Sequence, residues 1–187
     1  SNIETTSYSI TGNKTAEYDK TAITPTVSLI YKPIENLTTY TTYIESLEQG
    51  TIVGDTYTNA NEILDPLTSK QYEVGAKYAF TEKVLLSSAL FKIEKSNQYS
   101  DDGTQFGTFV QDGLQVHEGV ELTLTGKVTD SLTVMTGGTY MDLSIDKTNN
   151  SALKGKEPTG VASKLAKVYA EYDIFEIKGL TLTGGAY

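Results

Sequence analysis

Cysteine, tryptophan and arginine are all absent from this chain of 187 residues, and histidine occurs once, at position 117. Each gap excludes a class of function. Without cysteine there are no disulfides, no thiolate metal ligands and no thiol nucleophiles. A single His117 rules out a multi-histidine metal site and leaves a Ser-His-Asp triad only one candidate base. The 15 basic residues are all lysines and are outnumbered by 24 Asp and Glu, giving a formal net charge of -9. An acidic balance without the guanidinium forks that grip phosphate argues against nucleic acid as a partner. Long apolar runs are missing too: nothing approaches the ~18 residues of a membrane helix, and no signal peptide is seen. The chain opens Ser1-Asn2 without methionine, which reads as the scar of a cleaved expression tag on a piece of a longer protein.

What is present is alternation. Across 114–128 the even positions Leu114, Val116, Val120, Leu122, Leu124 and Val128 are apolar, broken by Glu118 and Gly126. The odd positions Gln115, His117, Gly119, Glu121, Thr123, Thr125 and Lys127 are polar or glycine. Period two means a strand with one apolar face. Segments 71–80 and 165–174 alternate in the same way, and weaker runs cover 3–10, 22–32, 37–47, 83–95, 131–144 and 179–187. No segment carries helical periodicity with caps, so the chain is expected to be all-β.

Two features point to a particular kind of sheet. Several runs last ten to fifteen residues, where soluble strands usually run about five or six and a tilted membrane-crossing strand needs ~9–11. The connections also alternate. Short ones fall at 32–36, 81–82, 129–131 and 175–179; long polar ones cover roughly 11–21, 48–69, 96–113 and 145–162. Tight turns then gather at one end and long loops at the other, as in an outer-membrane barrel. The expected fold is an antiparallel up-and-down meander of long strands, part of a transmembrane β-barrel, with the apolar face outside and the polar face on a wet lumen. Tyr31, Tyr72, Tyr78, Tyr140, Tyr172 and Tyr187 near run ends are candidates for interfacial girdles, although tyrosine also simply favours pleated surfaces.

Candidates for chemistry are few. His117-Glu118-Gly119-Val120-Glu121 lacks the second histidine of a metalloprotease helix and lies on a strand, so His117 is expected to be a solvated residue of the polar face. Glu118 stands on the apolar face and must sit near a strand end or beside a partner, because a charge at mid-membrane costs ~2–4 kcal/mol. Asp101-Asp102-Gly103 lacks the spaced acids of a calcium loop and is expected to be a turn. Gly137-Gly138 and Gly184-Gly185 inside strands suggest bulges or tight curvature. No catalytic or metal site and no cofactor are expected. Tyr57, Tyr99, Phe106 and Phe109 stand on the long polar loops, where they either contact a ligand or pack loop against loop.

Three stretches resemble the barrel of TonB-dependent outer-membrane receptors, particularly those for ferric siderophores. Asp65 to Tyr78 resembles the family's polar lead-in to a Tyr-Glu-x-Gly-x-Lys strand, here Tyr72-Glu73-Val74-Gly75-Ala76-Lys77. Ala89 to Asn97 is similar to the next strand, with Phe91, Lys92 and Asn97 as it enters a loop. Gly113 followed by Gly119-Val120-Glu121-Leu122 is similar to the strand after that loop. The resemblance covers about 22–187 and implies a parent with a ~22-stranded barrel plugged by an N-terminal domain. Residues 1–187 would supply eight or nine of those strands, with the plug and the remaining strands absent. It further implies a bacterial outer-membrane location, contact with outer-membrane lipid, capture of a ferric siderophore or similar chelate by the loops, and TonB acting through the missing N-terminal part. The open edges of such a piece are expected to pair with another copy or close into a smaller barrel. A passive porin is a rival within membranes. From another class, the alternative is a soluble, acidic extracellular β-sandwich binding protein, whose apolar faces would pack on one another.

Overall fold

A computed structural model describes residues 1–187 and contains strands but no helix. Ten strands form, in chain order: β1 (Asn2–Tyr8), β2 (Lys14–Thr21), β3 (Thr26–Ile34), β4 (Leu37–Glu48), β5 (Leu67–Thr81), β6 (Val84–Ser100), β7 (Phe109–Lys127), β8 (Leu132–Lys147), β9 (Lys164–Ile174) and β10 (Leu180–Ala186). Strands β3 to β10 make one antiparallel meander in which each strand pairs only with its chain neighbours. The sheet does not close on itself. Its tight turns (35–36, 82–83, 128–131 and 175–179) all lie at one end, and the connections 49–66, 101–108 and 148–163 all lie at the other.

The expected loop at 11–21 is corrected. It is a tight turn followed by β2, and β1 and β2 form a separate two-stranded hairpin. On β2 only Ala16 and Tyr18 alternate with the polar Glu17 and Asp19, too short a run to mark a face, because most of this hairpin stands in water. One side chain anchors it: Tyr18 is fully buried, and the Gly50 N–H donates to its hydroxyl at 3.1 Å. Lys20 adds an ion pair to Asp65 at 3.0 Å.

Register sorts every side chain in the large sheet to one of two faces. The residues Thr41, Val74, Leu90, Val120 and Tyr140 face one another across five strands. So do Leu37, Tyr78, Leu86, Leu124, Thr136 and Val168 further down. On β7 the apolar face is the more exposed one, with Leu122 52% accessible, while Glu121 and Thr123 on the opposite face are half-buried. The sheet therefore curls toward its polar face and turns its apolar face outward.

Only 10 of 187 residues are buried, and no second sheet covers the apolar face. That overturns the β-sandwich alternative, which requires an apolar interior. The outer face has the height of a membrane instead. The apolar stretch runs from Val120 on β7 to Val128 just past its end, eight steps that at ~3.3 Å each and ~40° of tilt rise roughly 20 Å, most of the ~25 Å band of outer-membrane barrels. Directly above it runs a polar cross-strand row of Tyr43, Tyr72, Lys92, Glu118 and Asp142. Glu118 thus has the partner its position demanded, Lys92 Nζ at 3.0 Å, and it sits at the rim rather than mid-band.

Tyrosines mark both rims. Tyr72 and Tyr140 stand outward at the upper edge, and Tyr31, Tyr78 and Tyr172 near the tight turns, where Tyr78 meets Phe80 edge-on at 5.0 Å. Tyr187 does not join them. Outward positions on β10 are Leu180, Leu182 and Ala186, so Tyr187 falls on the inner side, beside Glu121 and Gly137.

Two further expectations change. Gly137-Gly138 and Gly184-Gly185 make no bulge; both pairs lie in unbroken ladders. At Gly137 and Gly185 the missing side chain serves close packing, since a Cβ on Gly137 would meet Thr123 Cγ2 at 2.9 Å and one on Gly185 the Val168 carbonyl at 2.9 Å, whereas one on Gly184 would meet nothing. The inner face is also less polar than the lumen expectation required. Phe91, Ile93, Met141 and Leu143 share it around His117, whose Nε2 is enclosed without a hydrogen-bond partner, so His117 is not simply solvated.

Candidate functional site

The loop end is built by strands that continue past the membrane band. From the rim at Glu118, β7 runs up to Phe109 and β6 up to Ser100, which carries the connection 101–108 well above the lipid. Connection 49–66 lies against this projecting hairpin. Asn59 makes the tightest clasp: its Nδ2 donates to the Phe109 carbonyl at 3.0 Å, and the Phe109 N–H donates back to its Oδ1 at 2.9 Å. The Thr58 N–H donates to the Gly107 carbonyl at 3.0 Å, and Gln111 Nε2 donates to the Asp65 carbonyl at 2.7 Å. Thr51 bonds Gln98 through its hydroxyl. The third connection, 148–163, reaches the same tip where Asn149 Nδ2 donates to the Ser100 carbonyl.

Asp101-Asp102-Gly103 forms a turn, with Gly103 at a φ of +74°. Asp102 accepts from the Thr104 N–H at 2.8 Å and from the Ser100 and Thr104 hydroxyls, and these donors hold its carboxyl below the usual range. Asp101 accepts from the Thr108 N–H at 2.7 Å, closing the loop on itself. Gly107 is required there because a side chain would strike both carboxylates. Higher on β7, Asp112 pairs with Lys147 at 2.6 Å.

Between the three connections lies an open cleft of about 750 Å³, within the size range of small-molecule sites. It brings together three of the four aromatic loop candidates, Tyr57, Tyr99 and Phe109; the rings of Tyr57 and Phe109 are 5.0 Å apart. Phe106 stands apart, 65% exposed at the tip. The loop-packing reading holds for Tyr57 against Phe109, and this same contact forms a wall of the cleft. The remaining lining is amide and hydroxyl, notably Asn97, Gln98, Asn149 and Asn150, with Asp101 and Asp102. Sequence reading missed the amides because Asn and Gln on a polar loop look the same whether they line a cleft or face water. No group of three or more His, Asp or Glu is placed to hold a metal ion.

The comparisons with known proteins agree with this architecture. The family model described as "TonB dependent receptor-like, beta-barrel" matches residues 2–187. The ferrichrome receptor FcuA of Yersinia enterocolitica is 30% identical over 177 residues, 92% of this chain and 23% of that protein. The ferrichrome outer-membrane transporter and phage receptor of Escherichia coli K12 is 32% identical over 155 residues, 81% of this chain and 20% of its own length. Among solved structures, BauA, the ferric preacinetobactin receptor of Acinetobacter baumannii, superposes with a TM-score of 0.77 at 32% identity, over 91% of this chain and 26% of that one. The chain spans about a fifth to a quarter of the length of these relatives. The outward apolar band, the one-ended long loops and a family match along almost the whole chain have one reading: this chain belongs to the TonB-dependent receptors, as a stretch of their β-barrel, and is not an enzyme.

Proposed function

We propose that residues 1–187 are part of the barrel of a bacterial outer-membrane receptor that imports a ferric siderophore. The long loops capture the chelate, and a plug and TonB-contacting segment elsewhere in the parent protein pass it inward. Strands β3 and β10, each paired on one side only, are where further barrel strands, or a second copy of the isolated segment, would add. The observation that carries the reading is the loop-end cleft standing above an outward apolar band of membrane height. The siderophore itself rests on the relatives, which include receptors for ferrichrome and preacinetobactin.

The test deletes the parent gene and follows uptake of radiolabelled iron chelates by iron-starved cells with and without TonB. Loss of uptake in both the deletion and the TonB-less strain is expected. Diffusion that persists without TonB would make the protein a porin. Uptake defects confined to cobalamin, haem or a sugar would keep the receptor and replace the ligand. In isolated outer membranes the parent should run as a compact band in gels that shifts only on boiling.

A further inference from the structure

We propose that the cleft between connections 49–66, 101–108 and 148–163 seats an uncharged or cationic ferric chelate of the hydroxamate type and turns away trianionic catecholate chelates. This deepens the receptor reading above and rests on it. The charge of the chelate decides. Three hydroxamates carry one negative charge each and cancel Fe(III), whereas three doubly ionised catecholates leave a net charge of -3. The walls that this chain gives the cleft present no cation to meet that charge. Its lining holds two carboxylates, Asp101 and Asp102, and no lysine. Arginine is absent from the whole chain and the only histidine lies on the inner sheet face, paired across to Ile93 and Leu143.

Nearby cations are spent or set aside. Lys147 is held by Asp112 at 2.6 Å, and Lys154 and Lys156 follow Leu153 on the same connection but lie outside the lining. Asp101 and Asp102 cannot turn away from an anion, because their oxygens are fixed by the Thr108 and Thr104 N–H groups. A trianion would therefore meet two fixed like charges at a partly desolvated wall, where repulsion is screened less than in bulk water. A neutral chelate meets what the rest of the cleft offers. The rings of Tyr57, Tyr99 and Phe109 supply apolar contact, and the amides of Asn97, Gln98, Asn149 and Asn150 offer donors and acceptors to its carbonyl and N–O oxygens.

The experiment titrates the detergent-solubilised full receptor with two probes: ferrichrome, a neutral ferric trihydroxamate, and the ferric complex of a cyclic tricatecholate. Binding of the neutral probe at least about tenfold tighter is expected, with the gap narrowing as salt is raised and charges are screened. Asn150→Lys, which adds a cation to the cleft wall, should narrow the gap between the two probes about tenfold in favour of the trianion. Tyr57→Ala should weaken the neutral probe about tenfold or more, as loss of a buried aromatic anchor does. A preference for the trianion overturns the charge assignment and leaves the receptor intact. Neutral-probe binding by Tyr57→Ala as tight as that of the unaltered receptor overturns the cleft as its seat. If neither probe binds and the deletion strain loses no iron uptake, the siderophore reading itself falls, and this inference with it.

Discussion

The two halves of a single strand obey opposite rules. Below its rim, β7 alternates Val120, Leu122 and Leu124 outward with Glu121, Thr123 and Thr125 inward, and Val120 and Leu122 are exposed where Glu121 and Thr123 are half-buried. Above it, residues 109–119 belong to water, and apolar residues there do what they do in soluble proteins. Val116 is only 7% exposed, and Leu67, at the loop end of β5, only 9%. Lipid accepts Leu122 and water does not accept Val116. One ladder of backbone hydrogen bonds runs through both solvents, because pairing within the sheet satisfies the backbone in either. The difference lies entirely in which side chains are left bare.

The largest expected effect breaks that comparison with one substitution at two adjacent positions. Leu122→Lys places an ammonium on the outward face inside the band and should cost about 2–4 kcal/mol where the bilayer is deepest, less toward the rims. Thr123→Lys puts the same group on the inner face, beside Ser87 and Gly137, and should cost less than about 1 kcal/mol, in the range of ordinary surface changes. Denaturant titration of the full receptor refolded into lipid vesicles compares them. Equal costs would mean that the apolar face is not the lipid face.

A smaller effect sharpens the upper half. Asn59→Ala removes both hydrogen bonds of the clasp on Phe109 and leaves a part-buried carbonyl and N–H without partners. A cost of about 1–3 kcal/mol to docking of connection 49–66 follows. It should appear as faster proteolysis within 49–66, with the heat-shifted gel band of the barrel unchanged. Coupled loss of barrel and loop would show that the loops brace the sheet.

These two regions were not equally legible in the sequence. The strands below the rim announced themselves because lipid on one side and a wetter interior on the other impose strict period two, as in 71–80 and 165–174. Above the rim that constraint lapses. The true ends of β6 at Ser100 and β7 at Phe109 lie several residues beyond where alternation fades, since water on both faces makes no demand for apolar residues. The run at 3–10 marked β1, but β2 was unreadable for the same reason, its only core residue being Tyr18. Around the cleft, aromatic residues stood out against polar loops, so Tyr57, Tyr99 and Phe109 could be singled out before their placement in its lining was known. The clasp by Asn59 and the amides of the cleft depend on contacts some 50 residues apart, which no local pattern records. The apolar inner patch at Phe91, Ile93, Met141 and Leu143 was masked by reading β7, whose own inner face is polar, as typical of all the strands.

The smallest effect concerns the loop tip, where acidity should loosen what the Asn59 clasp leaves standing. The Thr104 N–H and the hydroxyls of Ser100 and Thr104 stabilise ionised Asp102, so its folded carboxyl titrates below the ordinary carboxylate range. A group whose pKa is depressed on folding contributes stability above its unfolded pKa and loses it as pH falls through the folded value. The turn at 101–104 should therefore keep its order at neutral pH and lose it only under distinctly acid conditions, below the ordinary pKa of an aspartate. Amide exchange at Thr104, corrected for its intrinsic pH dependence, reads this directly. Asp102→Asn keeps the acceptor oxygen but not the charge, so it should exchange faster at neutral pH and show no acid transition. Protection at Thr104 that is the same in both proteins at every pH would mean that backbone geometry and Gly103, not the carboxylate, hold the turn.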